Sequence, residues 1–251
     1  MKPFYFFILL FSLYSCENQI YVSQLSVSED FKYYHKGKLF TGIAIDTQTT
    51  SFQSFITGNI NFKNGLRDGY TVWYYENGNK YEECTYLNGK SNGIEWHYWE
   101  DGSLNSKRNL WNGIEDGKQF YYFRNGQLKS MCTYHKGHET GLHLDYFENG
   151  QLQSKYTNIE FAIRDGEVLE YYPNGNLRLK YHVKEGSHPS KWNPVHGWFY
   201  EFYENGILRN KAYYKNGNQD GVDLTYDTTG VLICKCVFKN DQEIQCWGDC
   251  E

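Results

Sequence analysis

The chain has 251 residues and a formal net charge of −5, and Tyr (24), Phe (16) and Trp (7) make up 19% of it beside 24 Gly and only 4 Pro. A mean hydropathy of −0.72 excludes a polytopic membrane protein, which needs repeated apolar runs of about 20 residues, and the ring content excludes a disordered chain. The acidic balance gives no pull toward nucleic acid, while many Tyr and Gly favour strands and tight turns.

In chain order, Lys2 supplies a positive charge, and Phe4 to Leu13 form an apolar run broken only by Ser12. That run is too short to span a bilayer and suits a secretory signal. Leu13-Tyr14-Ser15-Cys16 resembles the lipobox of bacterial lipoproteins, although Tyr14 is bulkier than the pattern. The resemblance implies cleavage before Cys16, lipid on Cys16, and a place on a membrane of the bacterial cell envelope, at the outer membrane or cell surface. An ordinary signal peptide or a short buried strand are the competing readings. Residues 1–15 are thus predicted to be a lipoprotein signal peptide and 16–31 a polar tether.

Residues 32–240 are organised by an internal repeat. Gly78, Gly102, Gly126, Gly150, Gly175, Gly206 and Gly230 are separated by 24, 24, 24, 25, 31 and 24 residues, and a second glycine series from Gly69 to Gly221 runs nine residues ahead with the same separations. Asn or Asp precedes six of the seven first-series glycines, and Asn-Gly pairs mark hairpins because both residues tolerate φ > 0. The second series closes a longer turn of the form Asn-Gly-x-x-x-Gly, as in Asn64 to Gly69. Each unit therefore reads as strand, tight turn, strand, longer turn.

Numbered from the turn glycine, position −4 holds Tyr74, Tyr98 and Tyr122, position −6 holds Val72, Trp96 and Phe120, and position +2 holds Leu104, Leu128 and Leu152. Period-2 alternation places −4 and −6 on one face; +2 joins them if the loop has three residues, and this face is predicted to be the packed one. The opposite face is predicted to carry three columns: aromatic Tyr75, Trp99, Phe123, Phe147, Tyr172 and Tyr203 at −3, basic Lys107, Lys155, Lys180, Lys211 and Lys235 at +5, and acidic Asp145, Glu170 and Glu201 at −5. Cross-strand ion pairs between the last two columns are expected.

The segments Tyr74-Tyr75-Glu76-Asn77-Gly78, Tyr146-Phe147-Glu148-Asn149-Gly150 and Phe202-Tyr203-Glu204-Asn205-Gly206 resemble the MORN-repeat variant of bacterial proteins, YwqK-type antitoxins among them. The resemblance covers about residues 58–240, with a weaker half-unit over Tyr34–Gly42. It implies an all-β fold, an elongated single-sheet antiparallel meander of stacked β-hairpins. Some 16 strands would then extend about 75 Å, with contacts only between neighbours.

Two stretches break the repeat. Residues 46–57, rich in Thr, Ser and Gln, read as a loop, and an insertion within Ser187–His196 carries Trp192 between Pro189 and Pro194. Trp192 is a candidate contact residue, since loops projecting from repeats often carry function, against a neutral insertion at a tolerant turn. Residues 241–251 read as a cysteine-containing cap. Cys234, Cys236, Cys246 and Cys250 cluster there and are expected to form two disulfides closing the final repeat, with free thiols or a four-thiolate zinc site as the competing arrangements. Cys84 and Cys132 lie two repeats apart, too far to pair.

No nucleophile elbow, phosphate loop or metalloprotease motif occurs. His135, His138 and His143 read as turn and strand surface, and the Asp-Gly pairs at Asp68, Asp116, Asp165 and Asp220 as turn residues. No catalytic residue, resident metal or cofactor is expected. The expectation is a non-enzymatic, membrane-anchored protein-binding or scaffolding module. Its recognition strip would be the −3 rings, facing a protein or a glycan stacked on them. The alternative, implied by the resemblance, is an antitoxin or immunity protein that occludes a toxin.

Overall fold

The computed structural model describes residues 19–49, 54–160, 163–184 and 194–250. The signal segment, Cys16 and Trp192 lie outside them. Among the described residues every regular element is a strand, apart from one 3-10 turn at Val22–Gln24. One open sheet of 22 strands runs through the protein, and a second sheet of three short strands sits near its N-terminal end. Successive strands pair antiparallel from Gly42–Thr49 through to Gln242–Gly248, while Gln19–Tyr21 pairs parallel to Gly42–Thr49.

Two turn types alternate along the two edges. At Gly78 the Tyr75 amide donates to the Asn79 carbonyl (2.8 Å) and the Gly78 amide to the Tyr75 carbonyl (3.0 Å). That pair of bonds closes a three-residue loop in which Gly78 alone is left-handed, φ +84°. The same two bonds recur at each of the seven first-series glycines. Asn77 is not at positive φ, so the predicted reason for its presence is corrected. Its amide does the work: Oδ1 accepts from the Asn79 amide (2.9 Å) and Nδ2 donates to Glu100 O of the next hairpin (2.8 Å). Asn125, Asn149, Asn174 and Asn205 make the equivalent bonds, which stitch neighbouring turns together. At the other edge Asn64 and Gly65 are both left-handed (φ +50° and +77°), the geometry of a two-residue hairpin turn. The tight turn is therefore inside the predicted longer one, and the predicted tight turn is the longer loop.

Each strand that leaves a three-residue loop carries a β-bulge. Tyr98 pairs with Leu104 but His97 pairs with Ser106, so Asn105 is the extra residue. The same shift occurs in the other six hairpins. The +2 leucines thus share a face with the −4 tyrosines, as predicted. One added residue reverses the parity beyond it, and this corrects the lysine column. Lys107 stands opposite Trp96 and Phe120, on the face of the −4 and −6 residues. The predicted lysine–carboxylate pairs across the opposite face do not form. Arg178 binds Glu170 there, and Arg209 Nη1 lies 2.9 Å from Glu201.

The two faces are called here the lysine face (positions −6, −4, +2 and +5) and the inner face (−7, −5, −3, +4 and +6). The deepest burial is on the inner face, where Thr71 and Gln119 are 0% exposed and Cys84, Val168 and Ala212 are 1% exposed. The prediction that the lysine face is the packed one is corrected. No described segment covers it over the repeats, and its rings are mostly half-buried by lateral contact alone. On the inner face small residues sit beneath arginines and rings that lean over them. Gln119 also replaces missing ladder bonds, accepting from the Asn109 amide (2.8 Å) and donating to its carbonyl (3.0 Å).

The ends are closed differently. At the N-terminal end Phe40, Ala44, Ile60 and Phe62 form an apolar cluster with Ile20, Val22, Leu25, Tyr33 and Trp73. The predicted tether is therefore structured from Gln19 onward, because Ile20, Val22 and Leu25 fill the end of the sheet without a strand-like period. The predicted loop over 46–57 contributes the arms of a hairpin, Gly42–Thr49 and Ser54–Lys63. At the C-terminal end disulfides join Cys234 to Cys250 and Cys236 to Cys246, with Cα atoms 5.1 and 4.1 Å apart. They lock the last strand, Gln242–Gly248, onto Leu232–Lys239. Cys84 and Cys132 are free and buried, and burial pushes both thiols up to about 12.

Candidate functional site

The repeat places every −3 ring at the base of a three-residue loop on the inner face. Tyr75, Tyr172 and Tyr203 each donate their hydroxyl to a main-chain carbonyl of the next hairpin, at Tyr98, Phe202 and Tyr226 (2.8–2.9 Å). Trp99 lies under Arg124 (4.8 Å to the ring centroid), Phe123 beside Lys129 (5.8 Å) and Tyr203 beside Arg209 (5.7 Å). All six strip residues, Phe147 included, are half-buried. The strip therefore ties hairpin to hairpin while presenting ring and cation edges. Trp99 Nε1 is buried without a hydrogen-bond partner.

Charged groups fill the columns beside the strip. Around Glu95, which is 6% exposed, His97 Nε2 lies 2.7 Å away, Arg108 binds the same carboxylate, and Arg108 Nη1 reaches Glu115 at 3.6 Å. Burial alone would raise the Glu95 pKa, but His97 and Arg108 outweigh it and hold the carboxyl below its ordinary value.

A second cluster centres on His143. Its Nδ1 lies 2.6 Å from Glu139 Oε1 and its Nε2 3.0 Å from Asp145 Oδ1. The ring stacks on Tyr156 (4.5 Å between centroids, 10° between planes), and Arg164 covers the other side of Tyr156 at 3.7 Å. Burial works against the imidazolium, but the hydrogen bonds to Asp145 and Glu139 overcome it and raise His143 to about 9. The expectation of a surface histidine holds for His135, whose side chain is 64% exposed. It is corrected for His143, which is 12% exposed. The signal that sequence reading missed is parity, since Glu139, His143 and Asp145 stand at even separations on one strand, His138–Tyr146, and therefore on one face.

Ser130 Oγ lies 3.3 Å from His143 Nε2, so serine, histidine and Glu139 are connected in the order of a catalytic triad. The electrostatics oppose that use. A histidine titrating near 9 is already protonated at neutral pH and cannot take a proton from Ser130, and Asp145 occupies the same Nε2. Beside this cluster is an open depression of about 480 Å³ lined by Asp145, Ser154, Tyr156, Arg164, Glu170 and Arg178. The turn carboxylates act on the main chain: Asp68 Oδ2 accepts from the Asn88 amide (3.1 Å) and Asp116 Oδ2 from the Lys136 amide (3.3 Å). Among the described residues the cysteine groups that could hold a metal, one including Glu243, are those of the disulfide cap.

Five segments match the MORN repeat variant family: residues 67–88, 115–136, 139–157, 164–185 and 196–216. The matched segments coincide with hairpins built on the frame described above. The hairpins turning at Gly102 and Gly230 lie outside the matches but repeat the same loop bonds and bulge. MORN repeats are typically protein- or membrane-binding modules and generally non-catalytic. No curated protein matches the chain.

Proposed function

We propose that this chain is a non-catalytic MORN-variant scaffold, held at a membrane of the bacterial envelope by lipid on Cys16, that binds a protein partner through its inner face. The observation that carries the reading is the strip of −3 rings. Tyr75, Tyr172 and Tyr203 are fixed by their hydroxyls to the next hairpin, and Trp99 and Tyr203 are each flanked by an arginine. Tyr, Trp and Arg dominate protein-binding hot spots, and side chains already held in place lose little entropy on binding.

Crosslinked capture from the native envelope tests this. Replacing Trp99 and Phe123 by Ala is expected to abolish the captured species while leaving the β circular dichroism unchanged. Capture that persists in the double variant overturns the inner-face assignment. Acyl-chain incorporation is expected to disappear in Cys16→Ala, and its survival there removes the anchor. The sequence resemblance to YwqK-type antitoxins supports a second reading, in which the partner is a toxin. Protection of cells that co-express a toxin encoded beside this chain tests it.

A further inference from the structure

We propose that the opposite, lysine face binds a linear acidic polysaccharide with one anionic group per disaccharide. This does not rest on the protein-binding reading, whose residues lie on the other side of the sheet.

The bulges line up a single row of side chains across the repeats. Lys155 stands beside Leu169, Lys180 beside Tyr200 and Lys211 beside Leu224, and the row ends on Lys235 and Trp247. Lysine therefore recurs on every second strand, about 9.6 Å apart at two interstrand steps. Lys107 lies in the same row between Trp96 and Phe120, four strands before Lys155, with Met131 at the intervening step and Glu83 beyond Trp96. The ammonium groups rest against rings: Lys107 is 4.8 Å from Trp96, Lys211 5.6 Å from Tyr200 and Lys235 5.4 Å from Trp247. Among the described residues Lys180 alone of this row has a carboxylate partner, Glu167 at 2.7 Å. The Arg side chains at +3 and their carboxylates are on the inner face. From Lys155 to Lys235 the lysine face thus presents cations at a fixed interval, Lys180 alone of them paired with a carboxylate, and each beside an apolar or aromatic platform.

The interval selects the occupant. An extended acidic peptide repeats its side chains on one face about every 6.7 Å and a helix about every 5.4 Å, and both fall out of step with the row. Two linked pyranose units are close to the two-strand step, and sugar faces stack on Trp and Tyr rings. A flat anionic membrane is also a poor match. Successive strands rotate by roughly 20–25°, so the lysines leave any one plane within a few strands, whereas a flexible polymer follows them.

The test titrates the full chain with hyaluronate oligosaccharides, which carry one carboxylate per disaccharide. Quenching of tryptophan fluorescence and calorimetry provide the readouts. Binding is expected to weaken with salt and to fall about tenfold when Lys107, Lys155 and Lys211 are all replaced by Gln, since three solvent-accessible ion contacts each change binding a few-fold. Trp99→Ala is expected to bind the oligosaccharide normally, which separates this test from that of the inner face. Lys155→Glu alone is expected to weaken binding, and supplies a second variant should the triple one fold poorly. Absence of binding, or binding indifferent to these substitutions, overturns the proposal. Tighter binding to polyglutamate, or to phosphatidylglycerol vesicles, overturns it in favour of an acidic protein or a lipid surface.

Discussion

The two faces of this sheet are built from the same repeat yet solve the placement of charge in opposite ways. On the inner face arginines and histidines are matched to carboxylates, as at Glu95 with Arg108 and His97, and at His143 with Glu139 and Asp145. On the lysine face Lys107, Lys211 and Lys235 lie against rings, and of the +5 lysines Lys180 alone is paired with a carboxylate among the described residues. The difference follows from chemistry as well as position. Guanidinium forms planar, directed pairs that survive partial burial, whereas ammonium is a strongly hydrated point charge that remains toward water. A single-layer sheet can thus keep one face internally satisfied and leave the other open.

The largest expected effect comes from adjacent residues on opposite faces. Val168 is 1% exposed on the inner face, and Leu169 follows it on the lysine face. Val168→Ala is expected to cost about 2–3 kcal/mol in denaturant unfolding, and Leu169→Ala less than about 1 kcal/mol, despite the larger side chain removed. Equal losses would break the distinction between the faces.

Next comes the pH dependence of the inner face. His143 is raised from 6.5 to about 9, so the folded state binds its proton more tightly than the unfolded chain. The stabilisation is full below about pH 6.5 and is lost as pH rises through about 9. On the order of 2 kcal/mol is expected to disappear across that window. His143→Gln is expected to flatten this part of the stability profile, and an NMR titration of the His143 ring locates its pKa directly. A ring titrating near 6.5 would remove the effect.

The smallest effect contrasts the two kinds of cation. Arg178→Gln removes the partner of Glu170 and is expected to cost about 0.5–1 kcal/mol. Lys155→Gln is expected to leave stability within about 0.5 kcal/mol. Thermal unfolding of both variants at low and high salt checks this, with salt reducing the cost of the arginine substitution only.

Much of the fold was legible because a repeat states the same instruction many times. The spacing of Gly78, Gly102 and Gly126 implies hairpins of one length, and the alternation of Val72 with Tyr74 identifies residues that share a face. The strip from Tyr75 to Tyr203 could likewise be read as one column. The lysine column was misplaced because a bulge leaves no mark in hydrophobic period: Asn105 and its counterparts look like ordinary strand residues. The order within 19–31 was missed because Ile20, Val22 and Leu25 act by filling one end of the sheet, and such packing needs no periodicity.

The sequence by itself determined the hairpin, its length and the number of times it recurs, since glycine spacing and period-2 patterning are local, repeated constraints on the backbone. Tertiary structure decided which face each column occupies, because one bulged residue per hairpin reverses parity. It also decided what the recurring asparagines of the turns do, because the Asn77 amide finds its second partner, Glu100, only in the next hairpin. The same is true of His143, whose pKa depends on its burial and on carboxylates that the pleat brings to one side.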